Sequence, residues 1–242
     1  MGAILSRGTL TVRVAETESD VIAAQRLRHR AFRRGASEGL DVDPHDSTCQ
    51  HVLVEREGAL IATYRYQSFA DAVAAKAGYA AQFYDLSGLT RIEGPMIEMG
   101  RFCLAPEEHD PDTVRIAWAA MTRIVDSVSA ALLFGCSSFR GTELAPYLDA
   151  LRLLRMRHVA PDALCLRATA AEAVPLPDGR IDGAAAQRQM PPLLRTYLTM
   201  GGWVSDHLVI DRAMETLHVF TGVEIAKVPP NRARALRLLA GD

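Results

Sequence analysis

The acidic loop at residues 41–46 is the first place where side-chain types and spacing could do chemistry. It carries three carboxylates, Asp41, Asp43 and Asp46, together with His45. Oxygen ligands at this density suit a cation, but the loop has neither the sixth-position glycine nor the twelfth-position glutamate of an EF-hand. Three interpretations are open at this point: a solvated loop, a site that recognises a cationic group, and a metal site.

A glutamate and an arginine interrupt the apolar stretch of residues 96–104. Glu98 and Arg101 are three residues apart, so on a regular strand they would face opposite sides unless Gly100 permits a bulge. Burying either charge without a partner is costly. The sequence therefore indicates either a functional pair of residues or an internal ion pair.

An arginine also interrupts the apolar face of a predicted amphipathic helix. Arg28 and Phe32 are four residues apart and are therefore neighbours on that face. Arg65 follows on the second strand of a predicted hairpin. Surface charge explains most of the arginines in this helix, but it does not readily explain Arg28, which lies among apolar neighbours.

These residues need rigid elements to position them, and hydrophobic periodicity supplies candidates. Helices interleave with strands, which predicts an α/β or α+β fold with a mixed sheet and a single domain over residues 1–242. Proline and glycine make residues 172–189 a candidate linker or insertion. The predicted helices cover about residues 19–32, 70–83, 113–130 and 144–156, with a short one from 192 and a basic one at the C-terminus. The predicted strands cover 10–14, 51–54, 59–66, 97–104, 131–136, 163–167, 203–210 and 216–220.

Composition excludes several classes of protein. The chain has 242 residues, 49% hydrophobic and 23% charged, which is typical of a folded globular protein. Its 27 Lys and Arg against 29 Asp and Glu give a formal charge of −2, which argues against a nucleic-acid partner. The longest apolar runs are too short to cross a bilayer, and the first residues do not form a secretory signal. We therefore expect a cytosolic protein.

Taken in order along the chain, these residues resemble the motif of the acyl-homoserine-lactone synthases. A fuller pattern over roughly residues 10–225 is more similar to the bacterial ornithine lipid N-acyltransferases, and this resemblance implies a GNAT-like acyltransferase fold. The motif residues are Arg28, Phe32, Asp43, Asp46, Arg65, Glu98 and Arg101, and the longer matching segments are 27–32, 43–54, 62–65, 98–104, 134–142 and 192–204. Residues 207–220 match only loosely, and their role is open.

The resemblance implies transfer of a 3-hydroxy fatty acyl group from acyl carrier protein to the α-amine of ornithine, which gives lyso-ornithine lipid. Residues 105–115 contain no glycine to cradle a coenzyme A pyrophosphate, which agrees with a carrier-protein donor. No cofactor and no metal are expected. The alternatives are an acyl-homoserine-lactone synthase and a non-catalytic module that binds acyl carrier protein. Release of a lipid product would add a peripheral contact with the inner membrane.

Individual roles follow from the residue types and from the resemblance. Glu98 is the best candidate for the base that deprotonates the amine. By resemblance, the backbone N–H groups of Phe102, Cys103 and Leu104 form the oxyanion site. The expected substrate-binding residues are Arg28, Phe32, Asp43, Asp46, Arg65 and Arg101. The expected docking residues for the acidic carrier protein are Arg33, Arg34, Arg152, Arg155 and Arg157.

Overall fold

A computed structural model describes residues 2–33 and 38–241. These residues form twelve strands and six α-helices. The strands are β1 (Leu5–Arg7), β2 (Leu10–Val14), β3 (Gln50–Arg56), β4 (Ala59–Phe69), β5 (Tyr84–Asp85), β6 (Met96–Leu104), β7 (Leu132–Arg140), β8 (Arg167–Ala168), β9 (Ala173–Pro175), β10 (Trp203–Val204), β11 (His207–Asp211) and β12 (Thr216–Glu224). The helices are α1 (Glu18–Phe32), α2 (Pro111–Ser127), α3 (Leu148–Arg157), α4 (Gly183–Gln189), α5 (Pro192–Thr199) and α6 (Pro230–Ala240).

Contacts within the chain define two compact units. Unit 1 comprises Met1–Ser68, Met99–Ser129 and Pro230–Asp242, and unit 2 comprises Phe69–Glu98 and Ala130–Pro229. The sequence of β6 therefore begins in unit 2 and ends in unit 1. The expectation of a single domain stays a prediction.

Unit 1 is built on an antiparallel meander in the order β1, β2, β3, β4, with β6 beside β4. The turn between β3 and β4 places Glu57 at φ +51° and Gly58 at φ +83°, as a tight hairpin turn with the strand twist requires. Helix α1 begins with a capping box between Thr17 and Asp20. The predicted hairpin and the predicted helix at residues 19–32 are both confirmed, and α1 carries Arg28 into the interior.

Unit 2 contains the mixed part of the sheet. The start of β6 runs parallel to β7 over Met96–Glu98, whereas β12 pairs antiparallel with the whole of β7. Alternation along β12 separates two apolar clusters, because Phe220 belongs to one and Val219 to the other. The predicted mixed sheet with interleaved helices is confirmed. None of the described helices is both long and apolar enough to cross a membrane.

Two predicted elements are wrong. Residues 70–83 are alanine-rich and were expected to be helical, but they form two short 3-10 turns, Ala74–Ala77 and Ala80–Gln82. Backbone N–H groups near the second turn donate to a side chain of β6 instead of to a helical ladder. Residues 163–167 were expected to be a strand, but the 3-10 turn Asp162–Leu164 occupies the start of this range and Cys165 follows it with φ +45°, outside the extended region of a regular strand.

The candidate linker at residues 172–189 contains β9 and α4 and belongs to unit 2. Leu176 is 1% exposed, and Ala186 is fully buried in the same apolar cluster. A segment that buries such residues contributes to the core of the unit, although its prolines and glycines remove any regular hydrophobic period.

Candidate active site

A buried arginine organises the acidic loop of unit 1. Arg28 is 1% exposed, and its guanidinium donates from Nε to Asp41 Oδ2 at 2.8 Å. Its Nη1 and Nη2 donate to the two carboxylate oxygens of Asp46 at 2.8 and 2.9 Å. Such a two-pronged arrangement fixes both groups in position. The interpretation of residues 41–46 as a solvated loop is therefore wrong, since Asp41 and Asp46 are only 8% and 9% exposed.

Two further arginines complete the network. Arg65 on β4 donates from Nη1 to Asp43 Oδ1 at 2.7 Å and also to Asp46. Arg101 on β6 donates from Nη2 to Asp43 Oδ2 at 2.7 Å, and its Nε lies 3.3 Å from Asp41 Oδ2. The three carboxylates that the sequence analysis singled out thus meet the three arginines that it singled out.

Two carboxylates of the network, those of Asp43 and Asp46, are ionised at neutral pH. Burial opposes ionisation of Asp46, but hydrogen bonds from Arg28 and its positive charge keep the pKa of that carboxyl well below its usual range. Burial opposes ionisation of Asp43 as well, and Arg65 likewise lowers the pKa of that carboxyl. Both groups are therefore anions, and the arginines compensate them.

The members of the network differ in access to solvent. The side chains of Arg101 and Asp43 are 12% and 13% exposed, whereas those of Arg28 and Arg65 are 1% and 3% exposed. Arg101 also adopts φ +54°, which is rare for a residue with a side chain. The irregular backbone of β6 is therefore at Arg101, one residue after Gly100, where a bulge was expected.

Glu98, the expected base, lies in unit 2 and is 7% exposed. Its Oε2 accepts a hydrogen bond from the backbone N–H of Tyr79 and its Oε1 one from that of Ala80, both at 2.7 Å. Gly78 lies so close that a Cβ at that position would collide with Oε2. The carboxylate is thus oriented by the irregular segment that precedes β5, a partnership that no spacing in the sequence indicated.

The remaining motif residues of unit 1 pack in an apolar environment. Phe32 and Cys103 join Leu27 in a small cluster, and the ring of Phe102 stacks on that of Tyr64 with 5.9 Å between centroids. Burial raises the pKa of the Cys103 thiol to about 12, so the thiol is not ionised at neutral pH. Any role of residues 102–104 in the reaction therefore falls to their backbone.

The arginines expected to dock a carrier protein have different environments. Arg152 and Arg155 on α3 donate to backbone carbonyls and to Asp178 in the loop before α4. Arg157, at the end of α3, is exposed. Arg33 closes α1 through its backbone N–H. Arg34 lies outside the described residues.

A buried histidine of unit 2 has no role among the residues predicted from the sequence. His218 on β12 is 2% exposed and contacts Tyr84. Because His218 lies between Leu217 and Val219, at the position where an alternating strand carries a polar residue, the sequence gave no distinct signal for it.

A mixed sheet with a charged network and a buried glutamate is compatible with an acyl-transfer enzyme, and comparison with known proteins defines the class. Residues 15–119 match the family described as acetyltransferase (GNAT) domain. FeeM, an N-acyl amino acid synthase from uncultured soil microbes, has a similar fold, with a TM-score of 0.53 at 10% identity over 96% of this chain and 97% of that one. The expected fold is confirmed: this chain has the GNAT-like fold.

Two curated relatives identify the family. The L-ornithine N(alpha)-acyltransferase of Brucella abortus is 32% identical over 247 residues, which cover 93% of this chain and 88% of the relative. The enzyme of the same name from Rhodobacter capsulatus is 28% identical over 86% of this chain and 87% of its own length. The chain belongs to the L-ornithine N(alpha)-acyltransferase family.

Proposed function

We propose that this protein transfers a 3-hydroxy fatty acyl group from acyl carrier protein to the α-amine of L-ornithine and so forms lyso-ornithine lipid. The observation that carries the proposal is the likeness to the Brucella abortus enzyme along nearly the whole of both chains. The motif residues that the resemblance singled out add to it, because their chemistry suits an amino-acid acceptor.

The reaction needs a base, because an α-amine is mostly protonated at neutral pH and an ammonium group cannot attack a carbonyl. In the proposed step Glu98 accepts one ammonium proton, and the neutral nitrogen adds to the thioester carbon. The carbon–sulfur bond then breaks, and the leaving carrier thiolate takes up the second proton that the nitrogen loses as it becomes an amide. The backbone N–H groups of Tyr79 and Ala80 each donate to one oxygen of Glu98 and so hold this carboxylate in one orientation.

The tetrahedral intermediate carries a negative oxygen that needs hydrogen-bond donors. We assign this role to backbone N–H groups of residues 102–104, because the side chains of Phe102 and Cys103 are occupied in packing. Removing one such donor typically costs about 10²–10³ in rate.

We assign different roles in acceptor recognition to the buried and to the more accessible residues of the charged network. Arg28, Arg65 and Asp46 are almost fully buried and bonded to other members, so we assign them to positioning. Asp43 and Arg101 are the more accessible members of the network, and their opposite charges match the ammonium and carboxylate groups of an amino acid.

Carrier-protein docking is proposed for the exposed end of α3. Arg157 presents its charge there beside Met156, which is 58% exposed. Arg152 and Arg155 shape this surface through their bonds to the loop before α4, and Arg33 and Arg34 remain a second candidate region. A steered encounter with an acidic partner weakens with salt, because exposed charges are screened over about 10 Å at 0.1 M ionic strength.

We propose a cytoplasmic protein with a peripheral contact at the inner membrane, where the amphiphilic product is released.

The test incubates the purified chain with 3-hydroxyacyl carrier protein and ornithine and identifies the product by mass spectrometry. We expect an N-acylated ornithine, faster use of the carrier donor than of the coenzyme A thioester, and a decline in rate with salt. Glu98→Gln should lower kcat by about 10²–10⁴ while the donor still binds.

Three results would contradict the proposal. A diffusible lactone made from S-adenosylmethionine would indicate an acyl-homoserine-lactone synthase. Tight carrier binding without turnover of any amine would indicate a binding module. A folded Glu98→Gln protein with normal turnover would remove Glu98 as the base.

A further inference from the structure

A buried histidine of unit 2 has a ring nitrogen with no partner. His218 lies in the middle of β12 and is 2% exposed. Within residues 2–33 and 38–241, no atom is hydrogen-bonded to its Nε2. A buried polar atom without a partner costs free energy, so a ligand that paired with Nε2 would recover part of that cost.

The neighbouring tyrosine favours one of the two tautomers of the His218 ring. The hydroxyl of Tyr84 donates its single hydrogen to the backbone carbonyl of His218 at 3.0 Å. The same oxygen lies 3.2 Å from His218 Nδ1, so in this pairing Nδ1–H is the donor and the tyrosine oxygen accepts. A neutral ring then presents a bare lone pair at Nε2.

His218 is suited to accept a hydrogen bond and unsuited to remove a proton from an ammonium group. Burial lowers the pKa of His218 to about 4, although Asp211 opposes the shift, so the ring stays neutral at physiological pH. Burial also keeps the Tyr84 hydroxyl protonated, because it raises the pKa of that group well above its usual value. The partner that fits Nε2 is therefore an uncharged donor such as an alcohol.

The surroundings of the ring are apolar on one side and lead to solvent on another. Phe83 packs edge-on against the imidazole with 4.8 Å between centroids, and Tyr84 bridges His218 to Phe220. On β7 the residue opposite His218 is Ser138, which is exposed. Opposite residues of an antiparallel pair point to the same face, so solvent lies within about one strand spacing of the ring.

We propose that His218 Nε2 accepts a hydrogen bond from the hydroxyl on the third carbon of the acyl chain and that His218 thereby selects hydroxylated donors. The inference rests on the proposed acyl transfer. A 3-hydroxyacyl chain is an apolar ligand with one hydroxyl donor. The surroundings of His218 are aromatic and contain one unpaired acceptor, so the two are complementary.

The test compares 3-hydroxyacyl and unsubstituted acyl carrier proteins of equal chain length, with ornithine as the acceptor. Wild-type enzyme should favour the hydroxylated donor by roughly 5- to 100-fold in kcat/KM, because the plain chain leaves the buried acceptor unpaired. His218→Phe should abolish this preference and retain use of the plain donor. The matched control is His207→Phe, which changes a half-exposed histidine of β11 bonded to Asp206 and should keep the preference.

A measurement on the wild-type protein covers the case in which His218→Phe does not fold. In ¹⁵N-histidine NMR, His218 should be the Nδ1–H tautomer, and its Nε2 resonance should move on binding the hydroxylated donor but not the plain one. Equal use of both donors by wild-type enzyme, an unchanged preference in a folded His218→Phe, or an Nε2 resonance that ignores the hydroxylated donor would each overturn the inference. Absence of acylated ornithine with both donors would instead overturn the proposed function, and the NMR titration, which needs no acceptor, would still decide the role of His218.

Discussion

Replacing Asp46 by asparagine removes one negative charge from the buried network of unit 1 and keeps the shape of the side chain. The carboxylate of Asp46 accepts from Arg28 Nη1 and Nη2 at 2.8 and 2.9 Å and from Gln25 Nε2 at 2.9 Å. In the variant, an amide N–H₂ group meets a guanidinium, and Arg28, which is 1% exposed, keeps its charge without full compensation.

Breaking one partner of a buried ion pair typically costs about 3–5 kcal/mol. We expect the lower end, about 3 kcal/mol, because Arg28 retains Asp41 as a second partner. For a chain of this length that loss corresponds to a fall in Tm of roughly 6–12 °C.

The assay is urea unfolding of Asp46→Asn beside wild type, with Tm as a second readout. The matched control is Asp112→Asn, since Asp112 pairs with Arg115 on the surface and their side chains are 62% and 61% exposed. The control should change stability by less than about 1 kcal/mol. The reasoning would be refuted if both variants lost the same free energy of unfolding while the slope of that free energy against urea concentration stayed unchanged.

Asp43→Asn should raise the KM for ornithine by roughly 10- to 150-fold and leave the KM for the acyl carrier nearly unchanged, because a charge-assisted bond is lost; steady-state kinetics with each substrate varied checks this. Gly78→Ala should lower both Tm and turnover, because the new Cβ collides with the Glu98 carboxylate, whereas Gly100→Ala, where a Cβ meets nothing within 4 Å, should leave Tm almost unaltered. The free energy of unfolding should fall by at most about 3 kcal/mol through His218 as pH drops from 6.5 towards 4, because the unfolded chain binds that proton first; the slope should be shallower in His218→Phe, as urea titrations at several pH values would show.

Most of the elements that were predicted correctly have signals in residues close together in the sequence. The Glu57-Gly58 turn and the periodicity of α1 depend on residues near in sequence, and both elements are confirmed. Residues 70–83 were mispredicted because alanine favours a helix, while the structure uses the N–H groups of Tyr79 and Ala80 to hold a carboxylate from β6. Long-range hydrogen bonds of this kind have no signature in local composition.

For the candidate site too, local sequence predicted some features, and long-range packing determined the others. Charges in apolar stretches marked Arg28, Glu98 and Arg101 from the sequence alone, because such charges are costly without a purpose. Which carboxylate each arginine meets depends on packing between α1, β4 and β6 and could not be read from spacing. His218 was missed because one histidine in a strand is ordinarily a core residue, and only its unpaired nitrogen distinguishes it.

The buried network of unit 1 is an expensive way to stabilise a fold, since apolar residues of similar volume often do as well or better than buried ion pairs. Its geometry gives another reason for it. Arg101 has a left-handed backbone conformation, which for a residue with a side chain costs about 1–3 kcal/mol, and its guanidinium is held by Asp41 and Asp43. Arg28 and Arg65 in turn hold those two carboxylates. The most buried charges therefore fix the direction of the most accessible ones, which is the arrangement that the proposed recognition of an amino acid through both of its charges would need.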